Sequence, residues 1–135
     1  MSSATPLVFI VDDDVSVRES LELLIESAGW QSQTFASARE FLAHPPVQAG
    51  PSCLVLDVNL PDFTGLQLQE RLALDRLAMP VIFMSGDDAG ETTVRAMNLG
   101  AVAFLTKPLD ADTLLRAIER AIKGARATLG REGEV

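Results

Sequence analysis

Three consecutive aspartates, Asp12, Asp13 and Asp14, follow directly on the apolar run LVFIV (7 to 11). Carboxylates this close repel: two unit charges about 4 Å apart cost roughly 4 kcal/mol at an effective dielectric near 20, against a domain stability of about 5 to 15 kcal/mol. The run therefore needs either solvent or a cation. By itself it reads as a solvated turn, since Asp side chains bond nearby backbone amides. Other short apolar runs end in the same way: CLVL (53 to 56) runs into Asp57, VIFM (81 to 84) into Ser85, and VAFL (102 to 105) into Thr106, Lys107 and Pro108. Oxygen-only ligands in small number suit Mg²⁺, which keeps several waters and takes one or two carboxylates, commonly beside a phosphate; Mn²⁺ is the alternative ion. A lysine ammonium matches phosphate oxygens, a serine hydroxyl donates to another, and an aspartate can itself be the nucleophile that forms an aspartyl-phosphate. Together these are the parts of a phosphoryl-transfer site, where positioning and charge neutralisation supply most of the catalysis.

Whether the parts meet depends on the elements that carry them. Short apolar runs alternate with helix-period segments, the pattern of a parallel sheet covered by helices on both faces. The runs LVFIV (7 to 11), WQSQTF (30 to 35), CLVL (53 to 56), VIFM (81 to 84) and VAFL (102 to 105) read as strands, the second polar enough for an edge. Val17, Leu21, Leu24 and Ala28 recur at helical spacing, with Gly29 as the stop. Ser37 and Glu40 have capping-box spacing before Phe41 and Leu42, and Pro45 and Pro46 end that short helix. Leu68 and Leu72 mark a third helix, and Asp110 caps a fifth with Leu114, Ile118 and Ile122 on one stripe. A fourth, from about Asp88 to Asn98, has only Val94 and Met97 as its apolar face and should be the least firmly anchored.

The fold class is therefore α/β: a flavodoxin-like (βα)5 open parallel sheet of strand order 2-1-3-4-5 with right-handed crossovers. Ligands of such sheets bind outside the carboxyl ends of the strands, near the reversal of strand order. In that order strands one, three, four and five deliver Asp12 to Asp14, Asp57, Ser85 and Lys107 to one rim. Singly, Lys107 reads as a solvated strand-end lysine, Ser85 as a helix cap and Asp57 as a turn residue; jointly those readings are improbable.

Composition narrows the function classes. The chain has 135 residues, 47% hydrophobic and 22% charged, with a net charge of −8, enough for one domain with a real core. An acidic chain without a basic patch is not expected to bind nucleic acid itself. No apolar run approaches the roughly 18 residues of a membrane span, and MSSATP lacks the basic start of a secretory signal, so a cytoplasmic location is expected. Cys53, the single cysteine, lies in an apolar run and reads as a small core residue, while His44 sits beside Pro45 and Pro46 with no metal or catalytic role. Residues 1 to 124 read as the domain and 125 to 135 as a helix end or linker tail.

IVDDD (10 to 14), DVNLPDFTG (57 to 65), SG (85 to 86) and FLTKP (104 to 108) together resemble the receiver domain of bacterial two-component response regulators, over roughly residues 6 to 124. TFASAREFL (34 to 42) further resembles the FixJ-type subgroup, whose members usually carry a C-terminal helix-turn-helix domain. The resemblance implies that Asp57 accepts a phosphoryl group from a sensor histidine kinase, that Asp13 ligates Mg²⁺ directly, that Asp12 assists through water and that Asn59 offers its backbone carbonyl. It further implies that Lys107 pairs with the phosphoryl group, that Ser85 moves to bond it, that Phe104 turns inward into the space left, and that the Lys107–Pro108 bond is cis. Asn59 and Asp87 would occupy the positions that tune loss of the phosphoryl group; Asp14 has no essential task. Such a domain is not an enzyme on other substrates, since it catalyses only its own phosphorylation and dephosphorylation. It would switch conformation to control output, as in transcription regulation. No output domain follows in these residues, which leaves a receiver fragment or a single-domain regulator.

Rival classes are a Mg²⁺-dependent phosphohydrolase of the haloacid-dehalogenase type, which needs a second acid where Asn59 stands, and a flavodoxin, which needs a Ser/Thr/Gly-rich phosphate loop after strand one. A receiver kept only for protein contacts would usually lack the acids or the lysine. The mixed charges Arg95, Arg116, Arg120 and Lys123 with Glu91, Asp112 and Glu119 suit a homodimer through helix four, strand five and helix five, formed on phosphorylation.

Overall fold

Apolar segments flanked by polar residues form four of the strands, and the polar QSQTF a fifth, in a computed structural model, which describes residues 5–43, 51–58, 60, 67, 79–86, 95, 97–98 and 100–133, the side chains only as far as residue 124. The strands are β1 (Leu7–Val11), β2 (Gln31–Phe35), β3 (Ser52–Asp57), β4 (Val81–Ser85) and β5 (Ala103–Thr106). All pairings are parallel, in the order β2-β1-β3-β4-β5. This is the sheet expected from the alternation of elements, with β2 at an edge. β3 and β4 each run one residue beyond the apolar runs CLVL and VIFM, so Asp57 and Ser85 end their strands, as expected.

Because successive side chains point to opposite faces, the sheet divides the core in two. Val8, Ile10, Cys53, Val55, Ile82 and Met84 pack with Leu21 and Ile25 of helix α1 (Val15–Ser27) and with Leu114, Ile118 and Ile122 of the C-terminal helix (Ala111–Gly133). On the other face Phe9, Val11, Leu54, Leu56 and Phe83 pack with Ala38 and Phe41 of α2 (Ala38–Ala43). There Phe9, Phe35 and Phe41 form an edge-and-tilt aromatic cluster with ring centroids 5.4–6.3 Å apart, a geometry that favours the ring quadrupoles.

Local signals explain the helix ends. Asp14 caps α1 by accepting the Ser16 amide at 2.8 Å, and Gly29 ends it at φ +91°, a conformation that glycine adopts without a Cβ clash. At α2, the Ser37 hydroxyl accepts the Glu40 amide at 3.2 Å, but the Glu40 carboxylate reaches back to the amide of Ala36 rather than that of Ser37. Asp110 caps the C-terminal helix through the amide and hydroxyl of Thr113; those bonds hold its carboxyl below the usual value. That helix continues to Gly133. The expected third helix around Leu68 and Leu72 lies outside the described residues, and of the fourth only Arg95, Met97 and Asn98 are described, all helical.

Candidate phosphoryl-transfer site

β1 lies between β2 and β3, where the strand order reverses. Val11 is level with Leu56, so the next residues, Asp12 and Asp57, stand side by side. Beyond Asp57, Ser85 ends β4, level with Thr106 of β5, and Lys107 follows. The register alone thus brings the strand-end residues onto one rim.

The side chains complete it. Lys107 Nζ donates to Asp12 Oδ2 at 2.9 Å and to Asp57 Oδ2 at 3.1 Å, bridging two strand ends that are far apart in sequence. Asp12 is fully buried, and Asp57 and Ser85 are nearly so at 5% and 1% exposure; among the described residues they are the buried polar side chains. Carboxylate oxygens of Asp12, Asp13 and Asp57 lie within 4.8 Å of one another, close enough to hold one metal ion, with Asp13 facing solvent. The backbone is tied as well: the Asp12 amide donates to Phe35 O at 3.1 Å, the Val58 amide to Met84 O at 3.0 Å, and the Lys107 amide to Ser85 O at 2.7 Å. The Lys107–Pro108 bond is cis.

Electrostatics follow from burial. Removal from water pushes the Asp12 carboxyl above its ordinary value, with the Asp14 amide and Lys107 pulling it part of the way back. For Lys107 partial burial opposes the charge, but hydrogen bonds and attraction from Asp12 and Asp57 outweigh it and hold the ammonium above its usual value. The lysine is therefore charged at neutral pH. Buried carboxylates around one cation want more positive charge than the lysine supplies, and an oxygen-only donor set of this kind fits Mg²⁺.

Asp12, Asp13, Asp57 and Lys107 are thus brought together, with Ser85 at the neighbouring strand end. Phe104 is half-buried, level with Phe83, its ring 6.1 Å from that of Phe83; strand alternation places it on the same face as Ser85. Asn59 and Asp87 lie outside the described residues. Two features were missed by sequence reasoning. Asp14, given no task, is the α1 cap; an Asp immediately before a helical run was the available signal. Arg18 reaches back to donate to the Asp12 carbonyl at 2.7 Å, a contact that no sequence motif announces.

The family model described as the response regulator receiver domain matches residues 8–119. The chain belongs to that family. Nodulation protein W of Bradyrhizobium diazoefficiens is 44% identical over 127 residues, covering 93% of this chain and 55% of that protein. The transcriptional regulatory protein FixJ of the same organism is 39% identical over 119 residues, covering 87% and 57%. Among solved structures, the response regulator StyR matches with TM-score 0.88 at 41% identity over 97% of this chain and 66% of that one, and the FixJ N-terminal domain with TM-score 0.80 at 35% identity over 89% and 95%. The receiver spans a little over half the length of its curated relatives. Receivers are signalling domains of two-component systems, and the resemblance to the FixJ-type subgroup agrees with these relatives.

Proposed function

We propose that this receiver accepts a phosphoryl group on Asp57 from a phosphohistidine of a sensor kinase, in a reaction that requires Mg²⁺. The observation that carries this is the Lys107 ammonium held between buried Asp12 and Asp57 at 2.9 and 3.1 Å, at the switch point of the sheet. A carboxylate oxygen of Asp57 attacks phosphorus in line; the bond from phosphorus to the imidazole nitrogen breaks, and the nitrogen leaves with the electron pair. Lys107, fixed by its backbone bond to Ser85, offers charge to the phosphoryl oxygens as they approach. Asp13, Asp12 and Asp57, with the carbonyl of Asn59, would hold Mg²⁺, which when bound neutralises phosphoryl charge. Asp12 already accepts Lys107 on one oxygen and the Asp14 amide on the other, which favours a water-mediated part for it and a direct one for exposed Asp13. Ser85 and Phe104 would form the switch, and Asn59 and Asp87 would tune the lifetime of the phosphoryl group.

Among the described residues no helix is long and apolar enough to cross a membrane; with the net charge of −8 this supports a cytoplasmic domain that binds no nucleic acid itself. FixJ is a transcriptional regulator, which supports transcription as the output of a longer protein. Incubation with a small phosphodonor, followed by intact mass and peptide mapping, tests the reading. One phosphoryl group on Asp57 is expected, lost in Asp57→Asn and on chelation of the metal; modification that persists in either case overturns it. Phosphorylation should also drive self-association through the fourth helix, β5 and the C-terminal helix, and an unchanged monomer by sedimentation with a confirmed beryllofluoride mimic would refute that part.

A further inference from the structure

Arg18 stands at the end of the first turn of α1, where the helix dipole disfavours a cation and, beyond the Asp14 cap, the turn itself holds no acidic residue. Its side chain turns back across the helix end, and Nη1 donates to the carbonyl of Asp12 at 2.7 Å. That carbonyl belongs to the peptide unit joining Asp12 to Asp13, so the bond fixes the orientation of the plane from which both side chains spring. The amide of Asp12 is held in the sheet by Phe35, its Oδ1 takes the amide of Asp14, and Asp14 in turn takes the amide of Ser16. Arg18 supplies the remaining tie. With it the peptide units on both sides of Asp13 are each tied at one group, the Asp12 carbonyl and the Asp14 amide, while the Asp13 carboxylate faces solvent.

We infer that Arg18 is a positioning residue for metal binding: by clamping the Asp12 carbonyl it presets the approach of Asp13 to Asp12 and Asp57. The inference rests on the reading of these carboxylates as a Mg²⁺ site. It has a sign that a bare electrostatic role lacks. Arg18 as nothing more than a nearby positive charge would repel the incoming cation, and its removal would tighten Mg²⁺ binding. As a clamp, its removal lets the loop wander and weakens binding, as loss of partners that orient metal ligands typically does, by about 10-fold or more.

The test is calorimetric titration of the full chain with Mg²⁺, comparing wild type, Arg18→Met and Arg18→Lys, with amide hydrogen exchange at Asp14 in chelator as a metal-independent readout. Arg18→Met should raise the Mg²⁺ Kd about 10-fold and speed exchange of the Asp14 amide, and Arg18→Lys, which keeps a cation with one donor head, should recover part of both. Where Arg18→Met fails to fold in chelator, Arg18→Gln takes its place with the same expected weakening. A Kd equal to or tighter than wild type in the folded neutral variant overturns the positioning role. Absence of Mg²⁺ binding in the wild type would instead overturn the metal-site reading on which it rests, so the two failures are distinguishable.

Discussion

Replacing Lys107 by Met keeps the aliphatic stem and deletes the ammonium that bridges Asp12 and Asp57. The two carboxylates then face each other without a counter-charge: at 4.8 Å or less apart they repel by about 3.5 kcal/mol at an effective dielectric near 20. Breaking a buried pair by removing one partner costs about 3 to 5 kcal/mol. Lys107 is 25% exposed, so water enters the space and offsets part of this; a loss of about 2 to 3 kcal/mol in chelator at neutral pH is expected. Two modulations identify the cause. Mg²⁺ should narrow the gap, since the ion supplies the missing charge and binds the more negative site at least as well. Lower pH should narrow it too. The Asp12 carboxyl already titrates above its ordinary value, so the folded protein holds that proton more firmly than the unfolded chain, and metal-free stability falls as pH rises from the unfolded to the folded value. Deleting Lys107 removes the contacts that pull the value down and extends the window upward, so the loss at about pH 5 should be smaller than at about pH 7.5. Urea unfolding under the four conditions is the assay. A loss under about 0.5 kcal/mol in chelator, or one that neither Mg²⁺ nor acid reduces, would refute the picture of Lys107 as the cation that holds the rim together.

Asp13→Asn should raise the metal-free Tm by about 2 to 3 °C, as relief of somewhat under 1 kcal/mol does in a domain of this size, and remove most of the Mg²⁺-dependent rise; a full rise in the variant would count against Asp13 as ligand. Asp110→Ala removes the cap whose carboxyl is held below its usual value by Thr113; the stability it contributes is present above the unfolded value and lost as pH falls through the folded one, so the variant should melt lower at neutral pH and converge on wild type in strong acid. Burial pushes the Cys53 thiol up to about 12, so a thiol reagent at pH 8 should label native protein only at the rate of unfolding, and rapid labelling without denaturant would contradict its place in the core.

The strands other than the polar edge strand β2 were legible because they are apolar on both faces, and their parallel order followed from the intervening helical segments. So were two of their ends: strand three was expected to end in Asp57 and strand four in Ser85, and pairing with Met84 and Thr106 keeps both in the ladder. The same extension buries them. Asp12, Asp57 and Lys107 could be placed on one rim because strand register converts sequence position into height, which requires no knowledge of side-chain conformation. Asp14 and Arg18 escaped for the opposite reason. Asp14 was read as part of a charge cluster when its oxygen is committed to the Ser16 amide of α1, and the reach of Arg18 to Asp12 depends on how α1 leaves the sheet. At α2 the capping-box spacing was correct, but the donor was exchanged by one residue because the chain enters the helix with the Ala36 amide turned toward Glu40.

The bond from the Lys107 amide to the Ser85 carbonyl sets the fulcrum of any switch. It pins the peptide after Ser85 to the end of β5, so backbone displacement cannot begin within β4 without tearing the lysine away from its carboxylates. Gly86, the next residue, is exposed, and among the described residues other than its chain neighbours no atom lies within 4 Å of where a Cβ would stand. Whatever moves at the end of β4 is thereby coupled, through one short hydrogen bond, to the lysine that bridges the two carboxylates.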